Sequence, residues 1–304
     1  MGRPEELTAR DNELLEALAK CSVMTTKQIE LIYGVKAYHY KRLKVLESRG
    51  LIKRDGRFIL ITSRGRNQMG VGRVHERLTD EQKREAAMIA WVYTKLNGWR
   101  IMNSQEAKRY YNLNRGDKID GVIERPDGTM YAFYVLSTRP REATIKRITT
   151  ELKNLWVVNI RRAIIFCPAS AAMKAFGKDP CKLDELLVLP HPGGLDIFKA
   201  ISKPGFIREV HDQAFPGRPY VPTEKPFADY QTEINGEQVY VSVLIGNDLV
   251  KRDHLTSYLN LGQRDKRVAI ICLREQQKMF QKLFPEAAFY PVCLGGNAGE
   301  SRTQ

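Results

Sequence analysis

The chain has 304 residues, 43% hydrophobic and 28% charged, enough for two or three domains with sizeable cores. A formal charge of +14 argues against an acidic solvating chain and for a polyanionic partner. No apolar run approaches the roughly 18 residues of a membrane-crossing helix, and the first residues are polar, so a cytoplasmic protein with no membrane partner is expected.

In chain order, Asp11 to Lys20 carries Leu14, Leu15, Leu18 and Ala19 at helical spacing, which predicts a first helix. Thr25 and Thr26 cap a short second helix that ends at Tyr33-Gly34. A third runs from about Lys36 to Ser48 and stops at Gly50. Residues 51–54 and 57–60 then alternate as two strands around the turn Asp55-Gly56, and Ser63 to Arg66 closes that hairpin. Up to Arg77 there are sixteen Lys plus Arg against nine Asp plus Glu, half the charge excess in a quarter of the length.

This order resembles a winged helix-turn-helix, the phrase RLKVLESRGLI followed by GRFILITSRGR most of all. The resemblance implies a double-stranded DNA partner, with the third helix in a major groove and the hairpin on flanking phosphates. The expected DNA-binding residues are Thr25, Thr26, Lys27, Lys36, Tyr38, His39, Lys41, Arg42, Lys44, Lys53, Arg54 and Arg57. Leu43 and Leu46 belong to the core, so Tyr38, Lys41, Arg42 and Lys44 should point outward. Arg42 is the foremost candidate for a bidentate guanine contact and Lys41 for a phosphate. His39 is read first as a packed or partly exposed histidine and only second as a base reader.

Further on, Thr79 caps a long helix ending at Gly98, with Ala86, Ile89, Ala90, Val92, Tyr93 and Leu96 on one wide apolar face. Strands follow at 119–123, 131–136 and 163–167, a helix at 143–155, another helix at 168–176 and a strand at 183–189. That is the pattern of a mixed α/β sheet. The unit then recurs: KIDGVIERPDGTMYAFYVLSTRP aligns with FADYQTEINGEQVYVSVLIGND, and RRAIIFCPASAAMKAF with KRVAIICLREQQKMFQKLF. Residues 204–226, rich in Pro and Gly, read as the connector. The expected organisation is α/β, with a winged helix at 1–72, a first restriction-endonuclease-like unit at 73–203 and a degenerate second unit at 204–304, related by internal duplication.

A strand with an aspartate, a turn, then a strand with an acid and a lysine two apart is the PD-(D/E)xK nuclease layout, in which carboxylates hold magnesium. Asp120 and Asp229 stand at the first position and are the only weak metal candidates. The second strands, YAFYVLS and VYVSVL, carry no carboxylate or amine, so neither unit is expected to hydrolyse DNA, and no catalytic residue is assigned. Both aspartates also read as turn caps. Five dispersed cysteines form no CxxC pair; Cys167 and Cys272 lie in apolar runs, and a zinc site with His191 is disfavoured. No cofactor is expected.

The chain also resembles the replication-relaxation proteins of plasmids and integrative elements. The likeness rests on RLKVLESRGLI with its wing, on ITSRGR, on His75, and on KIDGVI before YAFYVL, and covers roughly residues 10–190. It implies a winged helix joined to a nuclease-like domain serving plasmid replication and DNA relaxation. The family's strand often carries an acid near the position of Tyr134, which is lacking here. The resulting expectation is a sequence-specific, non-hydrolytic DNA-binding protein of a mobile element. It would act as a homodimer, with replication or mobilisation enzymes as further partners. A metal-dependent endonuclease and a transcription regulator are the alternatives.

Overall fold

The computed structural model describes residues 6–34, 38–71, 78–168, 176 and 182–294. It is a mixed α/β protein with one three-stranded and two five-stranded sheets among the described residues. The chain opens with α1 (Ala9–Cys21), β1 (Val23–Thr25), α2 (Thr26–Tyr33), α3 (Tyr38–Ser48), β2 (Ile52–Asp55), β3 (Phe58–Ile61) and α4 (Ser63–Gln68). Helices α1 and α2 begin at reciprocal capping boxes, Thr8 with Asp11 and Thr25 with Gln28, which satisfy otherwise orphaned backbone donors. Gly34 ends α2 at φ +71, a conformation that glycine adopts without strain.

Two local expectations are corrected. Residues 23–25 form a strand, pairing antiparallel with β3 to give the order β1-β3-β2. Ser63 to Arg66 does not close the hairpin but starts α4, because Thr62 caps it by accepting the Gly65 N–H at 3.1 Å. Gly65 lets α4 approach the preceding turn: a Cβ there would stand 2.3 Å from the Leu51 carbonyl oxygen.

Helix α5 (Asp80–Lys95) starts at the Thr79–Gln82 capping box. It is followed by β4 (Arg100–Asn103), α6 (Ser104–Tyr110), β5 (Gly121–Glu124), β6 (Met130–Val135) and α7 (Glu142–Asn154) with a 3-10 turn at Leu155–Val158. Next come β7 (Arg162–Cys167), β8 (Glu185–Pro190) and α8 (Gly194–Ile201). The helix expected at 168–176 lies largely outside the described residues. The stretch 204–226 is more than a connector, holding α9 (Phe206–Ala214) and the short β9 (Val221–Pro222). The chain continues with β10 (Tyr230–Ile234), β11 (Glu237–Val243), α10 (Leu249–Leu259), β12 (Arg267–Leu273), α11 (Gln277–Leu283) and β13 (Ala288–Val292).

The two five-stranded sheets have the orders β4-β5-β6-β7-β8 and β9-β10-β11-β12-β13. In each, the first two pairings are antiparallel and the last two parallel. The register agrees as well: Gly121, after Asp120, pairs with Phe133, and Tyr230, after Asp229, pairs with Val241.

Helix α5 is buried on two sides. Ala87 meets Val23, Phe58 and Leu60 of the small sheet. Ala90, Val92, Tyr93 and Leu96 join a single core that runs from Leu14 and Leu46 to Phe133, Ile164 and Phe198. Polar clamps follow the same route. Gln28 donates to the Ala87 carbonyl at 2.6 Å, Lys83 pairs with Asp55 of the hairpin at 2.6 Å, and His191 bonds the Met88 carbonyl at 3.0 Å. The N-terminal part and the first five-stranded sheet therefore share a continuous core through α5.

The outer edge of β8 is closed by the second unit. Leu187 bridges Asp248, the Asp248 carboxylate accepts the Leu186 N–H at 3.1 Å, and Asn247 Nδ2 donates to the Val188 carbonyl at 2.8 Å. Covering an edge in this way removes a template for unwanted strand pairing.

Gly65→Ala is expected to lower stability by about 1–3 kcal/mol through overpacking against Leu51. Gly193→Ala, with open space at its Cβ, serves as a near-neutral control in the same urea titration.

Candidate functional site

Helix α3 is held by a buried charge pair. Arg42, 4% exposed, donates from Nε to Asp11 Oδ1 at 3.2 Å and from Nη2 to Asp11 Oδ2 at 2.5 Å. Its Nη2 also reaches the Glu6 carbonyl at 3.1 Å. Tyr33 Oη donates to Asp11 Oδ1 at 2.6 Å, and the Thr8 N–H to Oδ2 at 2.7 Å. Burial pushes the Asp11 carboxyl up, but the bonds from Arg42, Tyr33 and Thr8 outweigh it and hold the group below the usual carboxylate range. The ends of α1 and α2 and the middle of α3 are thus tied to one carboxylate.

Arg42 was expected to reach a guanine; its guanidinium is instead a structural strut, committed to Asp11 and out of reach of any base. His39 is packed, as its first reading had it, at 1% exposure with its ring 4.1 Å from that of Tyr40; the secondary reading as a base contact is corrected, since the buried ring cannot reach DNA from there. Lys36 lies outside the described residues. Tyr38, Tyr40, Lys41 and Lys44 are exposed on α3, as expected for three of them; Tyr40 is a surface residue that the sequence reading did not single out. Its alternation with buried His39 would have revealed it only with the helix phase known.

Thr25 is the cap it was expected to be. Thr25 and Thr26 are half-buried, and Lys27 is exposed at the start of α2. On the hairpin, strand register separates the cations. Lys53 pairs with Leu60 and Asp55 with Phe58, so these share one face, while Arg54 lies on the other with Ile52 and Ile59. Arg54 bonds Glu47 of α3 at 3.2 Å. Arg57 is exposed at the turn and stands 5.0 Å over the Phe58 ring. The surface available to a polyanion beside α3 therefore comprises Lys27, Tyr38, Tyr40, Lys41, Lys44, Arg54 and Arg57.

The two aspartates play one backbone role. Asp120 accepts the Val135 N–H at 2.7 Å while its own N–H donates to the Phe133 carbonyl at 3.0 Å. Asp229 accepts the Val243 N–H at 2.7 Å and donates to the Val241 carbonyl at 2.8 Å. They differ in counter-charge. Asp229 is paired with Lys251 of α10 at 2.8 Å. Asp120 forms no ion pair among the described residues, and burial, opposed by the Val135 N–H, raises its pKa to about 7.

A cleft of about 520 Å³ lies between the α/β units, where Glu185, Asp229, Asp248 and Lys251 meet Arg125 and Arg208. Sequence reasoning missed Glu185, Asp248 and Lys251, because they come from different elements of two units. Burial lowers the Lys251 pKa, but the charge and hydrogen bond of Asp229 together with the charges of Asp248 and Glu185 outweigh it and raise the value, so the ammonium stays charged. Asp248 is pushed up to about 6 by burial and by Glu185, against Lys251 and two backbone N–H groups. Among the described residues, no three Asp, Glu, His or Cys side chains converge as metal ligands. Cys21, Cys167 and Cys272 are buried free thiols and Cys293 an exposed one.

No protein-family model, no curated protein and no solved structure matches this chain.

Two outcomes are expected. Asp11→Ala should cost on the order of 3–5 kcal/mol, since it strands a buried guanidinium. Chemical denaturation of Asp11→Ala, Arg42→Met and the double variant would show strong non-additivity, and additive losses would refute the coupling. The second concerns pH. Between about pH 4 and 7 folded Asp120 keeps a proton that the unfolded chain has released, so its contribution is lost as pH rises through that window. Asp120→Asn keeps an acceptor for Val135. It should raise stability at pH 8 by roughly 2–4 kcal/mol relative to the parent and change it little at pH 4. Equal effects at both pH values would contradict the assignment.

Proposed function

We propose that this protein binds double-stranded DNA through α3 and the β2–β3 hairpin and does not itself cut DNA. The observation carrying this reading is the exposed face of α3. Tyr38, Tyr40, Lys41 and Lys44 project from a helix whose opposite side is pinned by Arg42 and Asp11. A helix anchored by a buried pair and presenting aromatic and cationic groups suits a major groove, with Arg54 and Arg57 near the backbone. In these terms residues 8–68 are a winged helix-turn-helix with the extra short helix α4. The two α/β units, alike in strand order, register and aspartate bonding, are read as an internal duplication of a nuclease-like fold.

The non-hydrolytic reading draws on the fate of the acids. Asp229 is occupied by Lys251 and a backbone N–H, and Asp120 stands apart from any partner that could complete a magnesium site. The resemblance to replication-relaxation proteins suggests a role for the α/β units as a platform at a plasmid or mobile-element origin. Two chains would be needed to read a useful length of duplex, which is why a homodimer is proposed.

Gel-shift titration of duplex and single-stranded oligonucleotides selected from genomic fragments tests the reading. Lys41→Ala and Lys44→Ala are each expected to weaken duplex binding and to reduce the slope of log K against log salt by about one. Arg42→Met should perturb binding only as far as it loosens α3. Absence of duplex binding at low salt would overturn the proposal, and so would plasmid cleavage with magnesium or manganese that Asp229→Ala abolishes.

A further inference from the structure

A second cationic site lies away from α3, between α4, the end of α1 and the outer face of the hairpin. It is a cleft of about 310 Å³ whose polar lining includes Ser22, Lys53, Ser63, Arg64 and Arg66, with Leu60 and Leu78 as apolar walls. No carboxylate lines it among the described residues.

Arg66 is the unusual member. It is 6% exposed, yet its guanidinium meets neutral oxygens among the described residues: Nη2 donates to Ser22 Oγ at 2.8 Å and Nη1 to the Ala19 carbonyl at 3.4 Å. The other buried arginine and lysine among the described residues each have an acid beside them: Arg42 has Asp11, and Lys83 has Asp55 and Asp80. A desolvated guanidinium without an anion is costly, and burial accordingly lowers its pKa. Two further cations line the same cleft. Arg64 is exposed, with its side chain lying over the Gly50 turn, where Cδ is 3.8 Å from the position of a Gly50 Cβ. Lys53 is on the strand face that points away from α3. Ser22 itself holds φ +69, an uncommon conformation for a non-glycine residue, which sets its hydroxyl against Arg66.

We propose that this cleft binds a phosphate group, with Arg66 and Arg64 as bidentate donors and Lys53 as the mobile cation at its mouth. Guanidinium forks match tetrahedral oxyanions, and the bound charge supplies the counter-ion that Arg66 lacks. The site stands independently of the reading of α3, because the hairpin separates the two faces. Its ligand is either a backbone phosphate of nucleic acid or a free phosphorylated small molecule.

The test begins with inorganic phosphate titrated into the full chain at constant ionic strength, read by NMR shifts and by thermal stability. Saturable binding is expected, weakened about tenfold or more in Lys53→Ala/Arg64→Ala and in Arg66→Gln. Because Arg66→Gln can fail to fold, the exposed pair Lys53 and Arg64 keeps the test decisive. Salt slopes for duplex DNA then distinguish the sources. A drop of about one per cation removed assigns the site to a backbone phosphate. Unchanged duplex binding alongside lost phosphate binding assigns it to a free phosphorylated ligand. A response to phosphate that never saturates, or that persists in the Lys53/Arg64 double variant, overturns the proposal.

Discussion

The Asp11–Arg42 pair is the constraint on which the N-terminal surface depends. A single carboxylate, fully buried, collects donors from the start of α1, the end of α2 and the middle of α3. Isolated helices as short as α2 and α3 are marginal in water, so their mutual angle must come from tertiary contacts. Leu43 and Leu46 give α3 adhesion but not rotation about its axis. The bidentate guanidinium fixes that rotation, and with it which tyrosines and lysines face solvent. A hydrophobic residue at 42 could pack as well, yet would leave the Asp11 charge unpaired and the helix phase less sharply set.

The orientation so fixed is transmitted through α5. Since its residues complete the core of the small sheet on one side and of the first five-stranded sheet on the other, α3 cannot move freely relative to β5 and β6. Gln28, Lys83 and His191 lock the same helix by hydrogen bonds to main chain or to Asp55. The exposed face of α3 is therefore displayed on a rigid platform, unlike one tethered by a flexible linker.

Local features of this fold were legible in the sequence wherever the determinant was local. Thr25 and Thr79 announce helix starts, Gly34 and Gly50 announce stops, and apolar runs at 163–167 and 183–189 announce buried parallel strands. Strand β1 was not legible, because three residues carry no periodicity and owe their conformation to β3. Helix α4 was missed because SRGR reads as a turn; the Thr62 cap and the glycine fit against Leu51 become visible only once the hairpin exists. The inward turn of Arg42 was illegible for the same reason. Its partner lies 31 residues away on another helix, and nothing in KRLKV distinguishes a core arginine from a surface one.

The acids and bases that remain show how the fold disposes of charge it cannot hydrate. The aspartate at the mouth of each β hairpin is needed to hold the N–H of the neighbouring strand, so both units keep it. In the second unit Lys251 neutralises Asp229, and the result is an ion pair closed at the interface with β8. Asp120 forms no ion pair among the described residues, and burial lifts its pKa to about 7, so a proton neutralises it over part of the pH range. One requirement is thus met by a side chain at Asp229 and by a proton at Asp120. Arg66 is the converse case, a buried cation that meets only neutral oxygens among the described residues, and the phosphate site proposed for its cleft would supply the charge that the fold does not.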